Sequence, residues 1–200
     1  MKLYYAPGAC SLAPRIALQE AGLPYDAVRV DLHAGTLADG TDFKRINPLG
    51  YVPLLELDDG QRLLENAAIL QYIADLAPDK KLAPSNGSFA RYQLQERLNF
   101  IATELHKRFG PLFYDAPEAI QTETRAQLSA LFGWLDNELG DKDYQFGATF
   151  TVADAYLFTV LRWTSLVKLD LTGFDRLSAF KARVAARPAV RQAVADDKKQ

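Results

Sequence analysis

The chain carries one cysteine and two histidines, and these three side chains bound the nucleophilic chemistry open to it. A single thiol excludes an intramolecular disulfide, a CxxC dithiol pair and any cysteine-rich zinc site. Two imidazoles, His33 and His106, exclude a three-histidine centre, so no metal site is expected. Cys10-Ser11 follows Pro7-Gly8-Ala9 at the junction of a predicted strand and the first turn of a predicted helix. Free N–H groups and the positive end of the helix dipole favour a thiolate there and would equally receive another anion. A cysteine in that place also packs as a small hydrophobe.

Other groupings suit binding. In Asn47-Pro48-Leu49-Gly50-Tyr51-Val52-Pro53, a proline opening a strand fits only an edge or its start, and a cis Val52–Pro53 bond is expected. The backbone of Val52 would then be open to an extended peptide, although a plain turn has the same composition. Glu65-Asn66 opens a helix with Asn66 as its N-cap. Glu65 could take an ammonium group and the helix N-terminus a carboxylate, together a receptor for the zwitterionic end of an amino acid; capping alone would also account for Asn66. Further on, Asn99, Thr103 and His106 share one helix face, with Glu104 and Lys107 alongside, in a pattern that a solvated surface would also show. Thr151 and Asp154 form a capping box with Phe150 placed as its staple, and these are read as structural.

Positioning these residues requires two kinds of domain. Residues 2–5 read as a strand, 11–21 as a helix stopped by Gly22-Leu23-Pro24, and 27–32 as a strand with Val28, Val30 and Leu32 on one face. Residues 52–57 and 62–65 flank Asp58-Asp59-Gly60-Gln61 as a hairpin, and 67–76 form a helix stopped by Pro78. That order is the βαβ–ββα pattern of a small mixed α/β sheet. Residues 78–88 are rich in proline and charge and read as a linker, which places the domains at 1–80 and 88–200 with 81–87 between them. The second domain is all-helical. Leu94, Leu98, Ile101, Leu105 and Phe109 form one apolar stripe. A helix opens at Pro117-Glu118, buries Leu128, Leu131 and Leu135 and stops at Gly140; another follows Thr151; the last runs from about Leu177 to Arg187-Pro188.

Composition narrows the partners. With 23 Lys+Arg against 25 Asp+Glu, the net charge of −2 gives no basic excess for nucleic acid. The longest apolar tract, 155–161, is far short of the roughly 20 residues that span a bilayer, so no membrane partner is expected. No apolar stretch of signal-peptide length follows Met1, which with one unpaired thiol points to the cytoplasm.

The segments MKLYYAPGACSLAPRIAL, NPLGYVPLLEL, LLENAAILQYIAD, LNFIATELHK and FTVADAYLFTVLRW, in order over essentially the whole chain, resemble those of bacterial beta-class glutathione S-transferases. The resemblance implies a thioredoxin-like N-terminal domain, an all-helical C-terminal domain and a cytosolic homodimer acting in detoxification. It implies that glutathione is a co-substrate rather than a tightly bound cofactor, conjugated to small hydrophobic electrophiles in an apolar pocket lined by the helical domain. It casts Cys10 beside the glutathione sulfur, with Ser11 and Tyr5 matching residues that supply a catalytic hydroxyl in other classes and His106 lining the site. His106 would act there as a general base or as a hydrogen-bond donor, and the donor role is preferred because a partly charged imidazole stabilises a nearby thiolate. Glutathione would be held by Tyr51, Val52 and Pro53 at its cysteinyl part and by Glu65 and Asn66 at its γ-glutamyl end. Asn99, Thr103, Glu104, His106 and Lys107 would line the site. Where relatives place a lysine near the glycyl carboxylate, this chain reads His33-Ala34-Gly35-Thr36. Two alternatives stand beside conjugation: thiol–disulfide exchange or reductive dehalogenation through Cys10, and non-catalytic binding of apolar compounds near Phe113, Tyr114 and Trp163.

Overall fold

The computed structural model describes residues 1–114 and 116–198 and divides the chain into two compact units. The first holds strands β1 (Lys2–Tyr5), β2 (Asp26–Asp31), β3 (Thr36–Leu37), β4 (Leu54–Glu56) and β5 (Arg62–Leu63), with helices α1 (Leu12–Ala21) and α2 (Asn66–Leu76). The sheet order is β3-β2-β1-β4-β5. β1 runs parallel to β2 across the α1 crossover and antiparallel to β4. Its residues Leu3, Tyr4 and Tyr5 are buried on both faces, as a central strand demands. Tyr4, Val30, Phe43 and Leu54 form a core on one side, with Val28, Leu37, Ile46, Val52 and Leu64 against it. α1 is buried throughout residues 12–18 and packs on α2.

Three expectations about this unit change. Leu32 lies beyond the end of β2 and is exposed, so the inward row stops at Val30. Residues 31–40 around His33, which the sequence leads one to expect as a loop, are not all loop, because Thr36-Leu37 pairs antiparallel with β2; two residues are too few to leave a periodicity. The hairpin strands are shorter than expected, but their turn forms at Asp58-Asp59-Gly60-Gln61, with Gly60 at φ +84°.

The second unit holds α3 (Phe89–Phe100), a π-helical stretch (Ile101–His106), a single 3-10 turn (Lys107–Phe109), α4 (Gly110–Phe113), α5 (Glu118–Leu139), α6 (Val152–Leu166) and α7 (Asp175–Ala185). Leu94, Leu98, Ile101, Leu105 and Phe109 are all fully buried, as their stripe requires. In α5 the buried face is Thr124, Leu128, Phe132, Leu135 and Leu139, so Phe132 replaces Leu131 at the core position. α6 is buried over residues 151–161 and packs on α3, on the π-helical stretch and on α7.

The C-terminus brings the main correction. The last helix is not α7 but α8 (Pro188–Asp197), which the contacts assign to the first unit, where it packs on α1. The helical unit therefore spans 83–187 rather than 88–200, and the first unit takes back the C-terminal helix. Asp115, Lys199 and Gln200, which the expected second domain included, lie outside the described residues. Pro188 caused the misreading: it stops α7 and equally suits the first position of a helix. Among the described residues no helix is long and apolar enough to cross a membrane.

At the head of α6, Asp154 is fully buried and completes the capping box with Thr151. Its carboxylate accepts from the Thr151 N–H at 2.7 Å and the Gln145 N–H at 2.9 Å. Phe150 is buried against the Tyr144 ring and under the Arg187 guanidinium, 4.3 Å from its centroid. Replacing Asp154 with Ala strands two buried backbone donors and uncaps the central helix, an expected loss of about 2–4 kcal/mol. Urea unfolding of the variant checks this; a midpoint unchanged from wild type would remove the capping box from the account of stability.

Candidate functional site

In the first unit the site forms where three segments end beside one another. Cys10 sits in the turn joining β1 to α1, one residue before the Ser11 N-cap rather than on the helix itself. Its sulfur donates to the Val52 carbonyl at 3.4 Å, and the side chain is only 9% exposed. Its own carbonyl accepts from the Ala13 N–H at 3.1 Å and from the Asn66 amide at 3.1 Å. The turn at residues 6–11 is thus tied to the segment before β4 and to the head of α2.

The Val52–Pro53 peptide bond is cis, as the motif leads one to expect. Val52 stands just outside β4, so its backbone is not taken up by the ladder. Asn47 shapes this approach. It is buried, donates from its amide to the Tyr51 carbonyl at 2.7 Å, and accepts from the Leu49 N–H at 3.2 Å. The sequence reading gave Asn47 no role of its own, although an Asn before Pro-x-Gly is a turn-forming signal. The Tyr51 side chain points outward and is 66% exposed.

Asn66 is not the N-cap. Glu65 holds that position, in a left-handed conformation at φ +66°, with no side-chain cap, and Asn66 is the first residue of α2. The reason is its partner: the Asn66 amide reaches across to Cys10, 56 residues away in sequence, and leaves its buried Oδ1 without a hydrogen bond. Glu65 presents an exposed carboxylate beside it. Backbone strain of this kind at a non-glycine residue gathers at ligand sites.

The two expected hydroxyl donors are both buried. Ser11 is fully buried, and its Oγ bridges the Ala6 backbone, donating to the carbonyl and accepting from the N–H at 3.2 Å each. Tyr5 is buried beneath the Arg15 guanidinium, 4.2 Å from the ring centroid. The Ser11 hydroxyl is thus spent within the turn, while Tyr5 ends β1 with its ring under Arg15. The loop His33-Ala34-Gly35-Thr36 is closed by Asp31, whose side chain accepts from the His33 and Ala34 N–H groups.

The second unit carries the other group of residues. Asn99, Thr103 and Lys107 are exposed, and the Thr103 hydroxyl donates to the Asn99 carbonyl at 3.0 Å. Glu104 pairs with Arg108 at 2.8 Å. His106 does not share their solvated face. It closes the π-helical stretch, whose wider turn aims it at α6, where Nδ1 shares a 2.7 Å hydrogen bond with the Tyr156 hydroxyl. Its ring lies edge-on to Trp163, with centroids 4.9 Å apart, and Trp163 in turn meets Phe109 and Phe113. Burial, with Lys107 adding to it, holds the imidazole pKa down at about 4. His106 is therefore neutral at neutral pH, not the partly charged donor expected from its type. Neither Tyr156 nor Trp163 stands out from the sequence as a partner, because each sits inside an apolar helical run.

A prediction follows from the sign of that shift. The folded pKa lies below the ordinary value of 6.5, so the stabilisation is complete above about pH 6.5 and drains away as pH falls towards 4. On this basis wild type loses on the order of 3 kcal/mol by pH 4 that His106→Phe does not lose. Parallel denaturant titrations at pH 7 and pH 4.5 check this; equal acid sensitivity in the two proteins contradicts it.

With this geometry in place, the comparisons with known proteins are direct. Residues 1–75 match the family model for the glutathione S-transferase N-terminal domain, and residues 99–188 match that for its C-terminal domain. The chain is 49% identical over 97% of both lengths to the glutathione S-transferase GstA of Escherichia coli O157:H7. It superposes on a bacterial beta-class glutathione S-transferase from Sphingomonas chungbukensis with TM-score 0.95, at 45% identity over 99% of both chains. A sphingomonad glutathione S-transferase complexed with glutathione gives TM-score 0.96, at 43% identity over the whole of both chains.

Proposed function

The chain belongs to the glutathione S-transferase family, and on that premise we propose that it joins the glutathione sulfur to small hydrophobic electrophiles. Glutathione is the co-substrate. The observation that carries the reading is the convergence of Cys10, Val52 and Asn66 at 3.1–3.4 Å in the thioredoxin-like unit. Outside the ladder, the Val52 backbone offers an extended peptide the pairing that a sheet edge offers. The exposed Glu65 carboxylate and the α2 N-terminus suit the ammonium and carboxylate of a γ-glutamyl end.

In the proposed reaction the bound thiol gives its proton to solvent, and the thiolate attacks an electrophilic carbon. An S–C bond forms as the bond to the leaving group breaks, and a halide departs with its electron pair. Cys10 supplies a donor: its S–H, resting on the Val52 carbonyl, can turn to a neighbouring thiolate. The neutral His106 serves as a hydrogen-bonding group held by Tyr156, not as a cation. The exposed rings of Phe113 and Tyr114, with Phe113 seated on the buried Trp163, give the helical unit an apolar surface of the kind a hydrophobic electrophile takes. The protein is proposed to act in the cytoplasm as a homodimer, a reading supported by the exposed rings of Phe89 and Tyr92 on one side of α3.

Initial rates with 1-chloro-2,4-dinitrobenzene test this. Wild type is expected to show activity that saturates with glutathione, and Cys10→Ala to keep it within about tenfold, since a thiol is a weak donor. No conjugation by wild type with any of a panel of electrophiles, although glutathione binds, overturns the reading. Complete loss in a folded Cys10→Ala, together with loss of disulfide reduction, would instead make the protein's own sulfur the nucleophile.

A further inference from the structure

The turn that carries Cys10 is also gripped from the far end of the chain. Asp197, the last residue of α8, is 2% exposed, and its Oδ2 accepts from the Gly8 N–H at 2.9 Å. Its Oδ1 lies 3.7 Å from a guanidinium nitrogen of Arg15, itself buried in α1. Arg15 covers the Tyr5 ring and donates from Nε to the Tyr25 hydroxyl at 3.4 Å. A pair of opposite charges withdrawn from water is a weak source of stability, and apolar residues of similar volume often serve a core as well or better. This pair stands among the otherwise apolar inner residues of α1, and one of its members reaches a backbone donor two residues before Cys10. Gly8 lies at φ +75° outside any strand or helix, and although the residue is exposed its N–H is turned to the buried Asp197 carboxylate.

We propose that Asp197 is a positioning residue for the Cys10 turn, with Arg15 as its counter-ion, so that the C-terminal helix sets where the Cys10 sulfur stands. The Gly8 tie to Asp197 and the Cys10 tie to Asn66 hold the turn at two points, one from each helix that packs on α1. Preorganisation of this kind acts on binding and reaction through small displacements of the held atom. The consequence for glutathione rests on the reading of this turn as its site; the consequence for the thiol does not.

The test uses the full-length protein and its Asp197→Ala, Asp197→Asn and Arg15→Met variants. Three quantities are measured: the rate of Cys10 alkylation by iodoacetamide without glutathione, kcat and KM for glutathione in the conjugation assay, and the thermal midpoint. Asp197→Ala is expected to change the alkylation rate and to raise the glutathione KM, each by on the order of tenfold, the scale of a lost charge-assisted hydrogen bond. Asp197→Asn keeps an acceptor for Gly8 and is expected to recover most of both. If Asp197→Ala does not fold, Asp197→Asn and Arg15→Met give the same readouts, with the smaller effect in the first. Folded Asp197→Ala or Arg15→Met with both quantities within about twofold of wild type, and only a lower midpoint, overturns the proposal, because ordinary structural support moves only the midpoint. A shifted alkylation rate in a protein whose wild type conjugates nothing would support the positioning role and count against the glutathione reading alone.

Discussion

The six residues between β1 and α1 are the constraint on which the first unit turns. Residues 6–11 belong neither to the sheet nor to the helix, so turn bonds and the first N–H groups of α1 satisfy only part of their backbone. Side chains add the rest: Ser11 for both backbone groups of Ala6, Asn66 for the Cys10 carbonyl and Asp197 for the Gly8 N–H. Those partners come from the α1 N-cap, the head of α2 and the end of α8, so the docking of each helix is felt at the thiol. This is also why Ser11, Asn66 and Arg15 are buried polar residues on a face that is otherwise apolar.

The same constraint separates the chemistry of the two units. In the first, polar groups converge on Val52, which lies outside β4 and whose carbonyl meets only the weakly donating Cys10 thiol among the hydrogen bonds described, an arrangement suited to a peptide-like ligand. In the second, the half-buried His106 packs against the rings of Tyr156 and Trp163 and is kept neutral by desolvation. A neutral imidazole beside a phenol can orient a ligand or share a proton, but it brings no fixed positive charge to a thiolate. In the proposed reaction, stabilisation of that anion falls to hydrogen-bond donors and to the dipole of α1.

Much of the fold is legible in the sequence where punctuation is strong. Pro7-Gly8, Gly22-Leu23-Pro24 and Asp59-Gly60 mark the ends of elements, and the stripe from Leu94 to Phe109 marks the inner face of α3 and its continuation. Thr151 and Asp154 announce the start of α6 for a local reason, since a capping box involves only neighbours. Legibility fails where a residue answers to a distant partner. Asn66 has the local character of a cap but serves Cys10, and Ser11 has the character of a catalytic hydroxyl but serves Ala6. α8 is hidden behind Pro188, though Val190, Ala193 and Asp197 already trace one helix face. His106 is misplaced because a π-helical stretch leaves no trace in composition.

The most direct test of the central claim is a glutathione titration of the isotope-labelled wild-type protein, followed through its backbone amide signals. The account requires saturable shifts concentrated at Gly8, Cys10, Ser11, Val52, Glu65 and Asn66, the residues that the β1–α1 turn, the cis-proline segment and the head of α2 bring together. Shifts that do not saturate, or that gather elsewhere in the first unit and spare these amides, would contradict it.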